Sequence, residues 1–238
     1  MKKVASLVCA FLVLLVFSSS VIAEDTKGIY VGLVGGYVMP TGISGILKNT
    51  AETYPEYDPS LKNGYLYGAK VGWLTPFTNR IMALELEYNH ITNDFDKAKR
   101  FIGMPPADLD LNSKINIDLI MFNMIARYPN GRFHPYIGAG AGYAYARIND
   151  TEVSLAGVSQ WTFDGGSKGV FAYQGVAGID FDITKNIIVG LAYKYIGLQK
   201  ISFDSNNRVA SDPTNFEPVV SELNYRSHNI TLSLSYMF

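Results

Sequence analysis

Seven polar side chains interrupt stretches that are otherwise apolar or rich in glycine: Lys70, Glu85, Glu87, Arg127, Gln174, Asp180 and Lys194. Cations and carboxylates in such surroundings have two uses. They can form a gate or a proton or ion path, or they can pair and hydrogen-bond as a network that fills an interior. The second use is expected here, with Lys70 and Glu85 as a coupled pair. The only histidines are His90, His134 and His228, and no two of them share a tight metal-binding motif. No catalytic, cofactor-binding or metal site is expected, and no cofactor is implied.

These groups must be held by strands. Eight stretches read as strands, over 29–39, 63–74, 80–91, 114–128, 135–147, 169–182, 186–198 and 225–238. Each is long enough for a tilted strand to cross a bilayer, which takes about 9–11 residues. The connections alternate in kind. Long ones cover 40–62, 92–113, 148–168 and 199–224; short ones are "TPFTN" at 75–79, "PNGRFH" at 129–134 and "ITK" at 183–185. Short turns on one side and long loops on the other are the arrangement of an outer-membrane barrel, with the turns in the periplasm. No stretch after the first residues matches the roughly 20 apolar residues of a spanning helix.

The two faces of each strand differ. Met82, Leu84, Leu86 and Tyr88 oppose Ala83, Glu85, Glu87 and Asn89, and Ile137, Ala139, Ala141, Tyr143 and Tyr145 oppose Gly138, Gly140, Gly142 and Ala144. A soluble barrel of this size would turn the bulky set inward. Glycines and paired charges suit a narrow bore better than a wet exterior, with each glycine making room for a long side chain from a neighbouring strand. The bulky set then meets lipid. Pairing across 75–79 is expected to put Lys70 opposite Glu85, Val71 opposite Leu84 and Tyr67 opposite Tyr88. Pairing across 183–185 would put Gln174 opposite Lys194 and Gly178 opposite Gly190. The stretch 114–128 is irregular. Lys114, Asn116 and Asp118 share one face, yet Asn123 and Arg127 read as inward with Phe122, Met124 and Tyr128 outward. A β-bulge or a different boundary would reconcile them.

Aromatics sort to strand ends, with Tyr37, Tyr65, Tyr67, Tyr88, Tyr143, Tyr145, Tyr173, Tyr193 and Tyr195 towards the long loops and Trp73, Tyr128, Phe181, Tyr236 and Phe238 towards the turns. That is the double girdle a bilayer selects. The first residues read as a secretory leader: Lys2 and Lys3, an apolar run to Phe17, then "SSSVIA", with cleavage expected after Ala23. This assigns 1–23 to a signal peptide and 24–238 to the barrel. Cys9, the only cysteine, lies in the leader, so the mature chain has no thiol. Losing Lys2 and Lys3 leaves 18 basic against 21 acidic residues, a net charge near −3. Nothing in that balance suggests nucleic-acid binding.

The segments "GIYVGLVGGYV", "HPYIGAGAGYAY", "YQGVAGIDFDIT" and the terminal "LSLSYMF" resemble the small eight-stranded outer-membrane barrels, including the OmpA/OmpX-like, opacity-protein-like and OmpW-like groups. The resemblance implies an all-β, antiparallel up-and-down transmembrane barrel integral to the Gram-negative outer membrane. It implies that Phe238 resembles the signal read by the barrel-assembly machinery. Outer-membrane lipid and lipopolysaccharide are the other expected partners, and any ligand of the loops is unidentified. The expected function is that of a non-enzymatic structural or surface barrel whose loops mediate recognition or membrane stabilisation. One alternative is a small channel for small or apolar solutes. Another is a lipid A-modifying enzyme; one such group uses a His-x-Ser nucleophile with an acidic partner, and His228 has no serine two places on. The loops show no calcium-loop spacing among their acids.

Overall fold

The computed structural model describes residues 28–41, 45–48, 58–100, 107–155, 158–209 and 212–238. The expected leader over 1–23 lies outside the described residues. Among the described residues fifteen strands follow one another: β1 (Ile29–Pro40), β2 (Gly45–Lys48), β3 (Asp58–Leu61), β4 (Gly64–Leu74), β5 (Met82–Arg100), β6 (Ala107–Asn112), β7 (Lys114–Arg127), β8 (Phe133–Ile148), β9 (Thr151–Leu155), β10 (Val158–Phe163), β11 (Gly166–Asp182), β12 (Ile187–Leu198), β13 (Ile201–Val209), β14 (Asp212–Leu223) and β15 (Arg226–Met237). Eight of them close a barrel in the order β1-β4-β5-β7-β8-β11-β12-β15, with β15 returning to β1. Every pairing in it is antiparallel. Closure removes the unpaired edge that lipid could not hydrate.

The alternation written in the sequence sets the wall. Leu33, Leu86, Phe122, Ile137, Leu191, Leu232 and Leu234 face outward and are exposed on the isolated chain. At one rim Tyr65 lies beside Tyr67 and Tyr173 beside Tyr195; at the other, Trp73 meets Phe77, Phe133 meets Phe181, and Tyr236 meets Phe238. These are the two aromatic girdles. Within the bore, glycines are spaces. A Cβ on Gly72 would lie 2.1 Å from the Tyr30 ring, and one on Gly140 would lie 1.9 Å from Asn123 Oδ1.

Both expected hairpin registers are wrong by two residues. Lys70 lies opposite Glu87, Val71 opposite Leu86 and Tyr67 opposite His90. The cause is the turn. After the 3-10 turn Pro76–Thr78, Asn79 and Arg80 both adopt left-handed backbone (φ 52° and 63°), so β5 begins only at Met82. In the third short turn Thr184 Oγ1 accepts from the N–H groups of Asn186 and Ile187, and β12 starts at Ile187. Gln174 is therefore opposite Ile196, Val176 opposite Lys194 and Gly178 opposite Ala192. A slip of two keeps every side chain on its expected face, because the strand period is two.

The strand over 114–127 has no bulge. Its ladders to β5 and β8 are unbroken, and burial alternates without a fault. Lys114, Asn116 and Asp118 point outward, on the same face as Phe122 and Met124. They are polar because the outward face leaves hydrocarbon near Asp118, which sits opposite Tyr145 of the girdle. Inward stand Ile115, Ile117, Leu119 and Met121, none with any exposed surface.

The long connections also depart from expectation, because they contain strands. β14, β13, β10, β9 and β6 pair in turn and join the upper part of β5, with β2 on β14 and β3 on β5. The barrel wall thus continues beyond the aromatic rim as a second sheet. One interruption lies at its base. β11 and β12 pair as far as Ala172 opposite Leu198, and β10 and β13 take over only at Phe163 opposite Asn207. Among the described residues no ladder joins 166–170 to 201–206.

Candidate functional site

The bore holds two fillings in series. The half nearest the short turns is ionic. Glu87 is fully buried and forms an ion pair with Lys194 across the bore. It also accepts from Asn89 Nδ2 at 2.7 Å and Asn123 Nδ2 at 3.1 Å. Glu85 pairs with Lys70 at 3.2 Å and accepts from the Tyr30 hydroxyl at 3.0 Å. The Lys70–Glu85 contact therefore forms diagonally, although the residues are not ladder partners. Asn123 joins the two carboxylates, since its Nδ2 also lies 3.3 Å from Glu85 Oε1. Gln174 donates to Asn123 Oδ1 at 2.6 Å. Arg127 is buried and Asp180 half-buried on the same inward faces, and a Cβ on Gly190 would lie 2.5 Å from Asp180 Oδ1. All seven residues singled out from the sequence thus face inward, and five of them join one hydrogen-bonded network. Glu85 and Glu87 each have a cation and further donors, which is the condition for burying charge.

The half nearest the long connections is apolar, contrary to the expectation of a bore lined throughout by charge and glycine. Val38, Leu66, Ile91, Ile115, Ile117, Leu119, Met121, Ile196, Ile201 and Tyr225 form one cluster, each at most 2 % exposed. A lumen this narrow is filled by side chains, and apolar ones need no partners. The strand 114–128 carries the signal for this plug in alternate residues, but the polar Lys114, Asn116 and Asp118 beside them obscured its direction.

His134 faces the bore, opposite in parity to the outward Phe133 and Ile137, whereas His90 and His228 stand on the outer wall. His134 bridges Tyr128 O at 2.8 Å and Asp182 Oδ2 at 3.0 Å near the short turns. His228 packs beside Tyr193 and Tyr195 and hydrogen-bonds Tyr193. His90 sits in a denser cluster that sequence reasoning missed. Its Nδ1 is 2.8 Å from Asp118 Oδ1 and its Nε2 is 3.3 Å from Thr92 Oγ1. Asp118 also accepts from the Tyr88 hydroxyl at 2.7 Å and pairs with Arg147. The available signal was His90-Ile91-Thr92, a histidine and a hydroxyl two apart and so on one face of a strand. The acid is supplied by the neighbouring strand, where Asp118 is the partner of His90. Among the described residues no group of three or more His, Cys, Asp or Glu side chains is placed to hold a metal ion.

Phe238 follows the last strand directly. Its N–H bonds Ile29 O at 2.9 Å, so the chain end is tied into the closing pair of strands.

Comparison with known proteins agrees with this architecture. The family model "Outer membrane protein beta-barrel domain" matches residues 9–238. The outer membrane protein PagN of Salmonella typhimurium is 24% identical over 135 residues, covering 56% of this chain and 54% of PagN. An uncharacterised protein of Brucella abortus is 29% identical over 178 residues, covering 68% of this chain and 62% of that protein. The chain thus spans 54% and 62% of the lengths of these two relatives, less than two thirds of each. Among solved structures, OprG of Pseudomonas aeruginosa superposes with a TM-score of 0.60 at 12% identity, over 90% of this chain and 97% of OprG. The outer membrane protease OmpT of Escherichia coli gives 0.52 at 10% identity, over 90% and 98%. One of these two structural relatives is an enzyme, so the shared fold does not assign an activity. The chain belongs to the outer membrane protein β-barrel family and is an integral protein of the Gram-negative outer membrane.

Proposed function

We propose that the protein works at the cell surface as a plugged barrel, with its raised β-extension presenting a recognition surface and its lipid-facing wall bracing the membrane. In this reading its first task is non-enzymatic binding. The observation that carries it is the pairing of β6, β9, β10, β13 and β14 into one sheet above the aromatic rim. Strands held by ladders on both sides present side chains on a fixed frame, and a preorganised surface loses less entropy on binding than free loops do. In this reading the plug and the ionic floor close the bore to an aqueous pore. Lipopolysaccharide is the expected neighbour of the outer girdle, and the barrel-assembly machinery is the expected reader of Phe238.

The test is adhesion. Bacteria expressing the full chain should adhere to immobilised matrix proteins or epithelial monolayers. Cells in which residues 149–165 are replaced by a two-residue turn should lose most of that adhesion while the barrel still folds. Equal adhesion by both strains, or none by either, would count against a recognition role.

A second reading has its own support. The unpaired stretch between 166–170 and 201–206 borders the apolar plug, where Val170, Leu198 and Ile201 are buried. A small apolar solute could pass there between the outer leaflet and the upper bore without meeting the ionic floor. Uptake of a short alkane into vesicles would favour this passage if a disulfide between cysteines placed at 169 and 203 abolished it.

A further inference from the structure

The cluster on the outer wall has the connectivity of a hydrolytic triad. We propose that Thr92, His90 and Asp118 cleave a fatty-acyl ester of an outer-leaflet lipid. Asp118 Oδ1 lies 2.8 Å from Nδ1 of His90, and Nε2 of the same ring lies 3.3 Å from Thr92 Oγ1. A carboxylate on Nδ1 fixes the tautomer that leaves the Nε2 lone pair towards the hydroxyl, and it stabilises the imidazolium once formed. A nucleophile–base distance slightly beyond ideal is common before substrate binds. Asp118 is itself held by the Tyr88 hydroxyl at 2.7 Å and by Arg147, so it is oriented from two sides. Thr92 Oγ1 also donates to Asn116 Oδ1 at 3.0 Å, and this bond breaks when the hydroxyl turns to His90. The Asn116 carboxamide, already within hydrogen-bond reach of Thr92 Oγ1, is a neutral group that can then donate to a developing oxyanion.

Position selects the substrate class. Thr92, His90 and Asp118 point outward, on the faces that carry Leu84, Leu86 and Phe122 lower down. Thr92 lies opposite Tyr65 and His90 opposite Tyr67, whose ring is 5.1 Å from the imidazole. The triad therefore stands at the outer aromatic girdle, the depth at which lipid headgroups join their acyl chains. An ester at that depth reaches Thr92 from the side, with its acyl chain along the apolar wall. A plain polar band at the membrane boundary would explain the residue types. It would not require the carboxylate, both ring nitrogens and the hydroxyl to fall in line.

The chemistry balances with water alone. Thr92 Oγ1 bonds to the ester carbonyl carbon while His90 Nε2 takes the hydroxyl proton. The ester C–O bond breaks, the proton passes from Nε2 to the departing oxygen, and the lipid leaves as an alcohol. Water then attacks the acyl-Thr92 ester, giving its proton to Nε2. The acyl–Oγ1 bond breaks, the proton returns to Oγ1, and a fatty acid is released.

The test uses the full chain refolded into two sets of vesicles, one of phosphatidylethanolamine and phosphatidylglycerol and one containing lipopolysaccharide, with released fatty acid measured by mass spectrometry. Release from either set supports the proposal and identifies the source of the ester. Thr92→Val and His90→Gln should each lower release at least about a hundredfold, and Thr92→Ser should retain it. An alkyl fluorophosphonate should add once to the native chain, at Thr92, and not to Thr92→Val. Heat-dependent gel mobility confirms that each variant is folded. Absence of both release and adduct, or release that persists in folded Thr92→Val and His90→Gln, overturns the proposal.

Discussion

Glu87 is the group whose removal should cost the barrel most. Its carboxylate has no exposed surface, pairs with Lys194, and accepts from Asn89 and Asn123. Glu87→Leu leaves the Lys194 ammonium, itself only 5% exposed, without its counter-charge. Breaking a buried pair in this way costs about 3–5 kcal/mol. The orphaned donors of Asn89 and Asn123 add to that, at about 1–3 kcal/mol for each group left unsatisfied. Replacing both members of the pair, as Glu87→Leu with Lys194→Met, removes the stranded charge and should recover much of the loss. Urea unfolding in lipid vesicles, followed by the fluorescence of Trp73 and Trp161, reads the four corners of the cycle. The expected outcome is a large single-variant loss with a coupling of several kcal/mol. A single variant that costs under about 1 kcal/mol, in the range of an exposed pair, would show that the floor of the bore is wet and the network incidental.

Gly72→Val should destabilise by about 1–3 kcal/mol through overpacking, because its first carbon would already lie 2.1 Å from the Tyr30 ring; pairing it with Tyr30→Ala should return part of that loss in the same unfolding assay. Leu232→Arg, on an outward position 61% exposed, should cost about 2–4 kcal/mol in a bilayer and nearer 0–1 if it lay at an interface. In planar bilayers the native barrel should show no discrete openings, whereas Ile117→Asp with Leu119→Asp should introduce them by wetting the plug; native openings would show that the upper bore is not filled.

Much of this was written in the chain. Residues 135–147 and 225–238 alternate so cleanly that strand, face and lipid side follow from residue type alone. Inward placement of Lys70, Glu85, Glu87, Gln174 and Lys194 followed too, because parity survives a slip of two. Register did not. It depends on Asn79 and Arg80 taking left-handed backbone, and only the asparagine advertises that preference. The direction of 114–127 was obscured because outward polarity changes meaning where the wall leaves hydrocarbon, and Asp118 sits at that boundary. Strands in the long connections were hidden by Pro, Asn and Asp, which read as loop. The grouping of Thr92, His90 and Asp118 needed the pairing of β5 with β7, which no spacing within one strand encodes.

Hydrocarbon wraps the outside of this barrel while side chains fill the inside. Cys9 is the only cysteine and lies in the predicted leader, so single cysteines placed at Leu232 and Ile117 can be spin-labelled without interference. Collision with oxygen and with a water-soluble nickel complex should show the label at 232 open to oxygen and closed to nickel, and the label at 117 closed to both. Nickel access at 232, or free access of either reagent at 117, would contradict the account.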